Sequence, residues 1–249
     1  MTRLETLVAK TSDFLRSRRR LELPAEQLQA LEDVMSDPVT MSARKVLSRK
    51  GDLVTKSTLL VEGYMCRYMD DRNGHRQLVA VHVPGDFVDL HGYPLQRLDH
   101  DVAMLTDCTI AQVDHDVLTT LIERYPLLGR MLWFSTLLDA AMHREWIFQL
   151  GRLDAAGRIA HLLCETHARL VAVGRADGDS FDFPLTQQDM AEACGLTSIH
   201  VNRVLARLRR EGKLEIRERR VHLLDRRALV TMGEFDREYL YIDDGLLTP

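Results

Sequence analysis

The apolar positions of this chain change their period along its length. Between Ala43 and Asp114 they come in short runs broken by turn signals at Lys50-Gly51-Asp52, Glu62-Gly63, Asp70–Gly74 and Pro84-Gly85-Asp86. The runs Val61–Tyr68, Gln77–Val83 and Ala103–Val113 predict strands, and Asp71-Arg72-Asn73-Gly74 predicts a hairpin turn. Closely spaced strands with glycine turns predict a small barrel or sandwich. Such a unit can enclose a ligand or serve only as a protein-binding scaffold. A short helix is expected ahead of it, across Leu21–Met35.

From Pro126 the period becomes helical and continues to Gly151. Proline suits the first helical turn, where its missing N–H has no partner to lose. Leu127, Met131, Phe134, Leu138 and Ala141 recur four and three apart, and Phe148 resumes the stripe after Glu145. That spacing predicts a helix–helix seam, read here as a dimer interface. Trp133, Leu137 and Trp146 fall on other sides and are expected against the strand unit. A hinge is expected at Gly151–Asp154, then a helix over Ala155–Val173, a polar loop over Gly174–Ser180, and a terminal helix over Arg226–Tyr241. The expected organisation is a strand domain over 1–125, a long helix over 126–151 and a second domain over 152–249, an α+β fold.

The second domain carries the most specific pattern. Phe183–Arg210 predicts a helix, a tight turn and a second helix. Thr186 is placed to cap the first helix with Asp189 three residues on; Gly195 ends it, and Thr197 caps the next. Val201, Val204, Leu205 and Leu208 form one buried stripe on the second helix. Ser198, Ile199, Asn202 and Arg203 lie outside or beside it. A two-helix unit of this kind docks DNA by placing its second helix in the major groove. Arg203 can donate a fork to a guanine edge, and Asn202 can read adenine or hold a phosphate. Ser198 and His200 are shorter or more ambiguous contacts. Arg207, Arg209 and Arg210 suit phosphates.

Two short runs follow, Lys213–Ile216 and Val221–Leu224, separated by Arg217-Glu218-Arg219-Arg220. They predict a hairpin wing whose tip, with Arg219 and Arg220, suits a phosphate backbone. Here basic residues outnumber acidic ones, although the formal charge of the 249-residue chain is −4. The local field, not the whole-chain balance, meets a polyanion. Hydrophobic residues make up 45% of the chain, and no apolar run is long enough to span a membrane. No signal peptide is read, and four widely spaced cysteines, Cys66, Cys108, Cys164 and Cys194, fit a reduced cytoplasmic protein. No Walker loop, dinucleotide fingerprint or Ser/His/Asp motif appears, so an enzyme is not expected.

Taken together, the order of strand domain, long helix and winged helix-turn-helix resembles the Crp/Fnr family of bacterial transcription regulators. The resemblance covers about Leu21–Leu224 and is carried by DMAEACGLTSIHVNRVLARLRREGKLEI, with support from VLSRKGD, the stretch from Leu59 to Leu90, and AMLTDCTIAQVD. It implies a cyclic-nucleotide-binding-type double-stranded β-roll, a long dimerisation helix and a C-terminal winged helix-turn-helix. It also implies a homodimer on double-stranded DNA with palindromic half-sites, working with RNA polymerase. Arg203 matches a family base-reading arginine, whereas Ser198-Ile199 replaces an Arg-Glu pair, so a distinct operator is expected. Thr186, Gln188 and Thr197 match positions that commonly contact phosphates.

The sensory region departs from cyclic-AMP-binding members. Gly85-Asp86-Phe87-Val88-Asp89-Leu90 and Leu98-Asp99-His100-Asp101 stand where those members have a glycine-glutamate-leucine segment and an Arg-Ser pair. Only Arg97 is near the phosphate position, and aspartates repel a phosphate. Cyclic AMP in the usual pose is therefore not expected. Asp86, Asp89, Arg97, Asp99 and His100 remain as an effector pocket for a polar or cationic ligand, or as a solvated edge. An iron-sulfur cluster is not expected, because the first cysteine is Cys66. His75, His82, His91 and His100 form no haem motif, and no spacing completes a metal site. The effector stays unidentified. The other reading is a sensory scaffold that regulates a protein partner without specific DNA binding.

Overall fold

A computed structural model describes residues 10–18 and 23–243. Its N-terminal half is built from seven strands in two sheets: β1 (Val39–Met41), β2 (Val46–Ser48), β3 (Lys56–Glu62), β4 (Met65–Asp70), β5 (Arg76–His82), β6 (Asp101–Met104) and β7 (Cys108–Asp114). The sheet orders are β1-β7-β3 and β2-β6-β4-β5, with antiparallel pairing. Leu60, Met65, Val88, Val102, Met104 and Ile110 close the core between them. This is the β-roll.

The Val61–Tyr68 run is two strand segments rather than one. Gly63, at φ +89, lets the chain change sheets, and a Cβ there would collide with the Asp107 carbonyl. The Ala103–Val113 run likewise splits at Thr106-Asp107 into β6 and β7, which belong to different sheets. The β4–β5 hairpin forms where Asp71–Gly74 predicted it. Asp71 Oδ1 accepts from the Asn73 and His75 amides at 2.7 and 2.9 Å, and Gly74 sits at φ +79.

Helix α1 (Ala25–Val34) falls within the expected Leu21–Met35, although Leu21 itself lies outside the described residues. Short α2 (Gly92–Leu95) and α3 (His115–Arg124) follow. Helix α4 runs Pro126–Arg152, with Pro126 in its first turn. Leu153 ends it, and Asp154 caps α5 (Ala155–Ala172) by accepting from the Gly157 amide at 2.8 Å. The expected loop over Gly174–Ser180 instead holds β8 (Ala176–Asp177) and leads into β9 (Ser180–Asp182). Turn residues there make a small hairpin that extends the wing sheet.

The phase of α4 corrects the predicted seam. Met131, Leu138 and Ala141 are each about 5% exposed within the single chain. Met131 packs with Leu128 and Leu118 in the core beside α3. Leu138 packs with Ala168 and Ala172 of α5 and with Leu240 and Ile242 of the C-terminal segment. Phe134 meets Tyr241 edge-on at 5.7 Å, and Leu127 is half-buried. Of the predicted stripe, only Phe148 is exposed. Trp133, Leu137 and Ile147, at 64, 52 and 72% exposure, point outward instead. Trp146 is buried against the β-roll face and α5, as its position suggested. The sequence period marked an apolar stripe but could not say that the chain's own C-terminal segment covers it.

One core runs without a break from the outer face of the β4–β5 sheet into the C-terminal half. Tyr64, Cys66, Tyr68, Leu78 and Val81 share it with Ile159, Phe181, Phe183, Met190 and Val201.

Candidate nucleic-acid interface

Helices α6 (Gln187–Cys194) and α7 (Ser198–Arg210) form the helix-turn-helix. Local chemistry sets both starts and the turn between them. The Thr186 hydroxyl accepts from the Asp189 amide while the Asp189 carboxylate accepts from the Thr186 amide, a reciprocal cap. Gly195 closes α6 at φ +61. Thr197 caps α7, accepting from the His200 amide at 3.2 Å.

Val201, Val204, Leu205 and Leu208 are buried as predicted. The opposite side of α7 is open: Ile199 is 66% exposed, and His200, Asn202, Arg203 and Arg207 are exposed. Ser198 is half-buried. Arg203 is exposed, and its guanidinium makes no ion pair or hydrogen bond among the described residues. Asn202 Nδ2 donates to Gln187 Oε1 at 3.2 Å, which ties its amide to α6. Ile199 offers only an apolar surface.

The positions assigned to phosphate divide in the same way. The Thr186 hydroxyl is engaged with Asp189, and Gln188 Nε2 donates to Glu192 at 2.9 Å. Arg207 stands 4.0 Å from Glu211 one turn on. Strands β10 (Leu214–Arg217) and β11 (Arg220–Leu223) make the wing, and β11 pairs with β9. Glu218 and Arg219 form its tip, both at positive φ, with the Arg219 side chain exposed. Arg220 is half-buried and paired to Asp182 at 3.0 Å, so the tip presents Arg219 more freely than Arg220.

The first helix of the unit is held by the β-roll. Arg44 makes a two-armed pair with Asp189 at 2.5 and 2.8 Å. Arg76 Nε donates to Glu192 at 2.6 Å, and Gln77 Nε2 to the Glu192 carbonyl at 2.6 Å. Burial pushes the Asp189 carboxyl up, but hydrogen bonds from Arg44 and Thr186 more than offset this and hold it below the usual range. Sequence reading missed Arg44, Arg76 and Gln77.

The residues expected to line an effector pocket divide between the surface, Arg97 and Asp99, and the interior, Asp86, Asp89 and His100. Arg97 is exposed and donates to the Gly51 carbonyl, and Asp99 is on the surface beside His100 at 2.7 Å. Asp86 is paired with Arg169 of α5. Asp89 is buried and accepts from the Thr58 amide at 2.6 Å; burial raises its carboxyl to about 6. The acidic residues therefore serve separate structural partners. A different polar centre lies between the roll and α4. Arg67 of β4 is buried, donates to the Val88 carbonyl at 2.7 Å and pairs with Asp139 of α4. No group of three or more His, Cys, Asp or Glu among the described residues is arranged to hold a metal, and the four cysteines are separate and buried. No helix among them is long and apolar enough to cross a membrane.

Residues 38–125 match the cyclic nucleotide-binding domain family, and residues 157–232 match the Crp-like helix-turn-helix domain family. The chain is 30% identical over 201 residues to the transcriptional activator protein FnrL of Cereibacter sphaeroides, covering 79% of each. It belongs to the Crp/Fnr family. This Crp/Fnr chain is also 28% identical to the nitrogen fixation regulation protein FixK of Bradyrhizobium diazoefficiens, over 82% of the chain and 84% of that protein. Its fold matches the solved structure of FixK2 from Bradyrhizobium japonicum with a TM-score of 0.73 at 22% identity, over 80% of this chain and 98% of that one. Crp/Fnr proteins are DNA-binding transcription regulators, not enzymes.

Proposed function

We propose that this Crp/Fnr chain binds double-stranded DNA as a homodimer and reads a palindromic site through α7. The observation that carries this reading is the uncommitted Arg203 guanidinium on the open face of a doubly capped helix-turn-helix. A guanidinium fork spans two acceptors of a guanine edge, which a lysine point charge cannot reproduce. Asn202, Ser198 and Ile199 flank it, and Arg219 approaches the phosphates from the wing. Residues 1–125 act as the sensory unit, 126–151 as the connecting and dimer helix, and 152–249 as the DNA unit.

The dimer seam proposed here is the outward side of α4, Trp133, Leu137, Ile147 and Phe148, in place of the buried stripe. Large apolar side chains in a row on one exposed helix side call for a cover, and a second copy supplies a matching row. Cyclic AMP in the usual pose has no place in this reading. Arg97 is engaged at the surface, and Arg67 and Asp139 join the roll to α4 directly.

The test compares residues that read bases with residues that hold the backbone. On a duplex obtained by binding-site selection, Arg203→Ala is expected to lower discrimination between cognate and altered half-sites by about 1–3 kcal/mol per half-site. Arg219→Ala is expected to weaken binding to all duplexes alike and to reduce the salt slope by about one. Affinity titrations at several salt concentrations separate the two. Full discrimination retained by Arg203→Ala would move the reading role to Asn202, Ser198 or DNA shape.

A further inference from the structure

The Arg67–Asp139 pair acts electrostatically on four imidazoles drawn from three parts of the fold. His82 comes from β5, His91 and His100 from the loop around α2, and His143 from α4, one turn beyond Asp139. The rings of His91 and His100 lie 5.1 Å apart. The Nε2 atoms of all four are buried and have no hydrogen-bond partner among the described residues. His82 Nδ1 makes no close hydrogen bond, but it faces Asp86 Oδ2 at 3.5 Å, a carboxylate already paired with Arg169. On the other side of the pair, Asp139 Oδ1 has no partner either. So many unpaired polar atoms at one junction are unusual in a folded interior.

Two small cavities open here. One, of about 10 Å³, is lined by His82, Asp139, His143, Trp146 and Arg169; the other, of about 20 Å³, by Arg18, His82, Asp86 and Asp139. Each has room for roughly a single water and none for a nucleotide. Protonation of an imidazole needs no cavity larger than these.

We propose that the ring of imidazoles makes the docking of α4 on the β-roll acid-sensitive, so that acidification is a signal this chain can register. Protonation places new positive charge beside Arg67. His143, on the same face of α4 as Asp139, then competes with Arg67 for the carboxylate. The other nearby carboxylates are already engaged. Asp86 holds Arg169, Asp89 accepts from Thr58, and Glu165 accepts from Arg169, Trp146 and Tyr239. Arg18 and Arg169 add further positive charge facing His82 across the junction. His100 is the least sensitive of the four, because exposed Asp99 compensates its charge at 2.7 Å.

The direction of the effect follows from the neutral state in which the rings are held. Burial first, then the Arg67 charge, pushes His82 down to about 4, and burial with Arg67 and His100 pushes His91 to about 3. Burial lowers His100 and His143 as well. An undocked α4 returns these groups toward the ordinary histidine range near 6.5. Docking is thus at full strength above about 6.5 and is lost progressively as pH falls toward the depressed values. Asp139, held down to about 2 chiefly by Arg67 against burial, contributes in the same sense at lower pH. Asp89, raised by burial, works in the opposite sense, one group against the four histidines and Asp139.

This inference names a signal for the regulator proposed above, yet its test needs no DNA. Trp146 is 5% exposed and lines the same cavity as His82 and His143. The only other tryptophan is Trp133, in the proposed dimer seam, so full-length Trp133→Phe protein that sediments like the wild type reports on Trp146 alone. Its emission is expected to shift reversibly to the red with a midpoint between about pH 5 and 6.5, with far-UV circular dichroism retained. His82→Asn and His143→Gln are expected to lower that midpoint by about half a pH unit or more. Hydrogen exchange on the wild-type chain gives a check free of substitution: protection should fall across α4 around Asp139 while β6 and β7 keep theirs. Emission constant down to about pH 5, a midpoint unmoved in the folded variants, loss of circular dichroism together with the emission change, or a uniform loss of protection would each overturn the proposal.

Discussion

Asp189 shows what a single side chain does in this molecule. It caps α6 with Thr186 and also receives Arg44 of the β-roll, while 1% exposed. Removing it strands a cap and the Arg44 partner at once. Asp189→Ala is expected to lower stability by about 2 kcal/mol, discounted because the Arg44 side chain is 44% exposed. Urea unfolding checks this. The contribution of the lowered Asp189 carboxyl is present above the ordinary aspartate range and is lost as pH falls through its depressed value. The Thr186–Asp189 cap was legible in the sequence because its partners are three residues apart. Arg44, Arg67 and Asp139 were not, because such pairs join residues far apart in the chain that no local pattern links. The same limit applies to Asp86, Asp89, Arg97, Asp99 and His100. They are close in sequence, yet apart from the Asp99–His100 contact the fold gives them separate partners.

At the scale of elements, α6, α7 and the wing were readable. Caps, a glycine at positive φ and a 3.6-residue stripe all acted locally and agreed. The strands were readable in place but not in sheet assignment, since Gly63 and Thr106-Asp107 switch sheets inside apparent single runs. Helix α4 was readable in length but not in facing. Its apolar residues occupy more than one side, and only packing with Leu240, Ile242 and α5 decides which side is inward. The two adjacent leucines now separate the possibilities. Leu137→Arg is expected to leave the protomer folded and to raise the dimer dissociation constant at least about a hundredfold, seen by analytical ultracentrifugation. Leu138→Arg puts a charge into the protomer's own core and is expected to impair folding itself, seen by circular dichroism. Association unchanged in folded Leu137→Arg would remove the outward side of α4 from the interface.

At the scale of the whole molecule, the β-roll and the DNA unit share one apolar core and the Arg44, Arg76 and Gln77 contacts to α6. The helix-turn-helix is therefore held by the roll as well as by α5. The most direct test of the central claim is binding-site selection with the full-length chain on random duplexes. The account predicts enrichment of a two-fold symmetric site whose half-sites lie about one helical turn apart, centre to centre. Enrichment of a single unpaired half-site, or recovery of duplexes with no shared sequence, would contradict it.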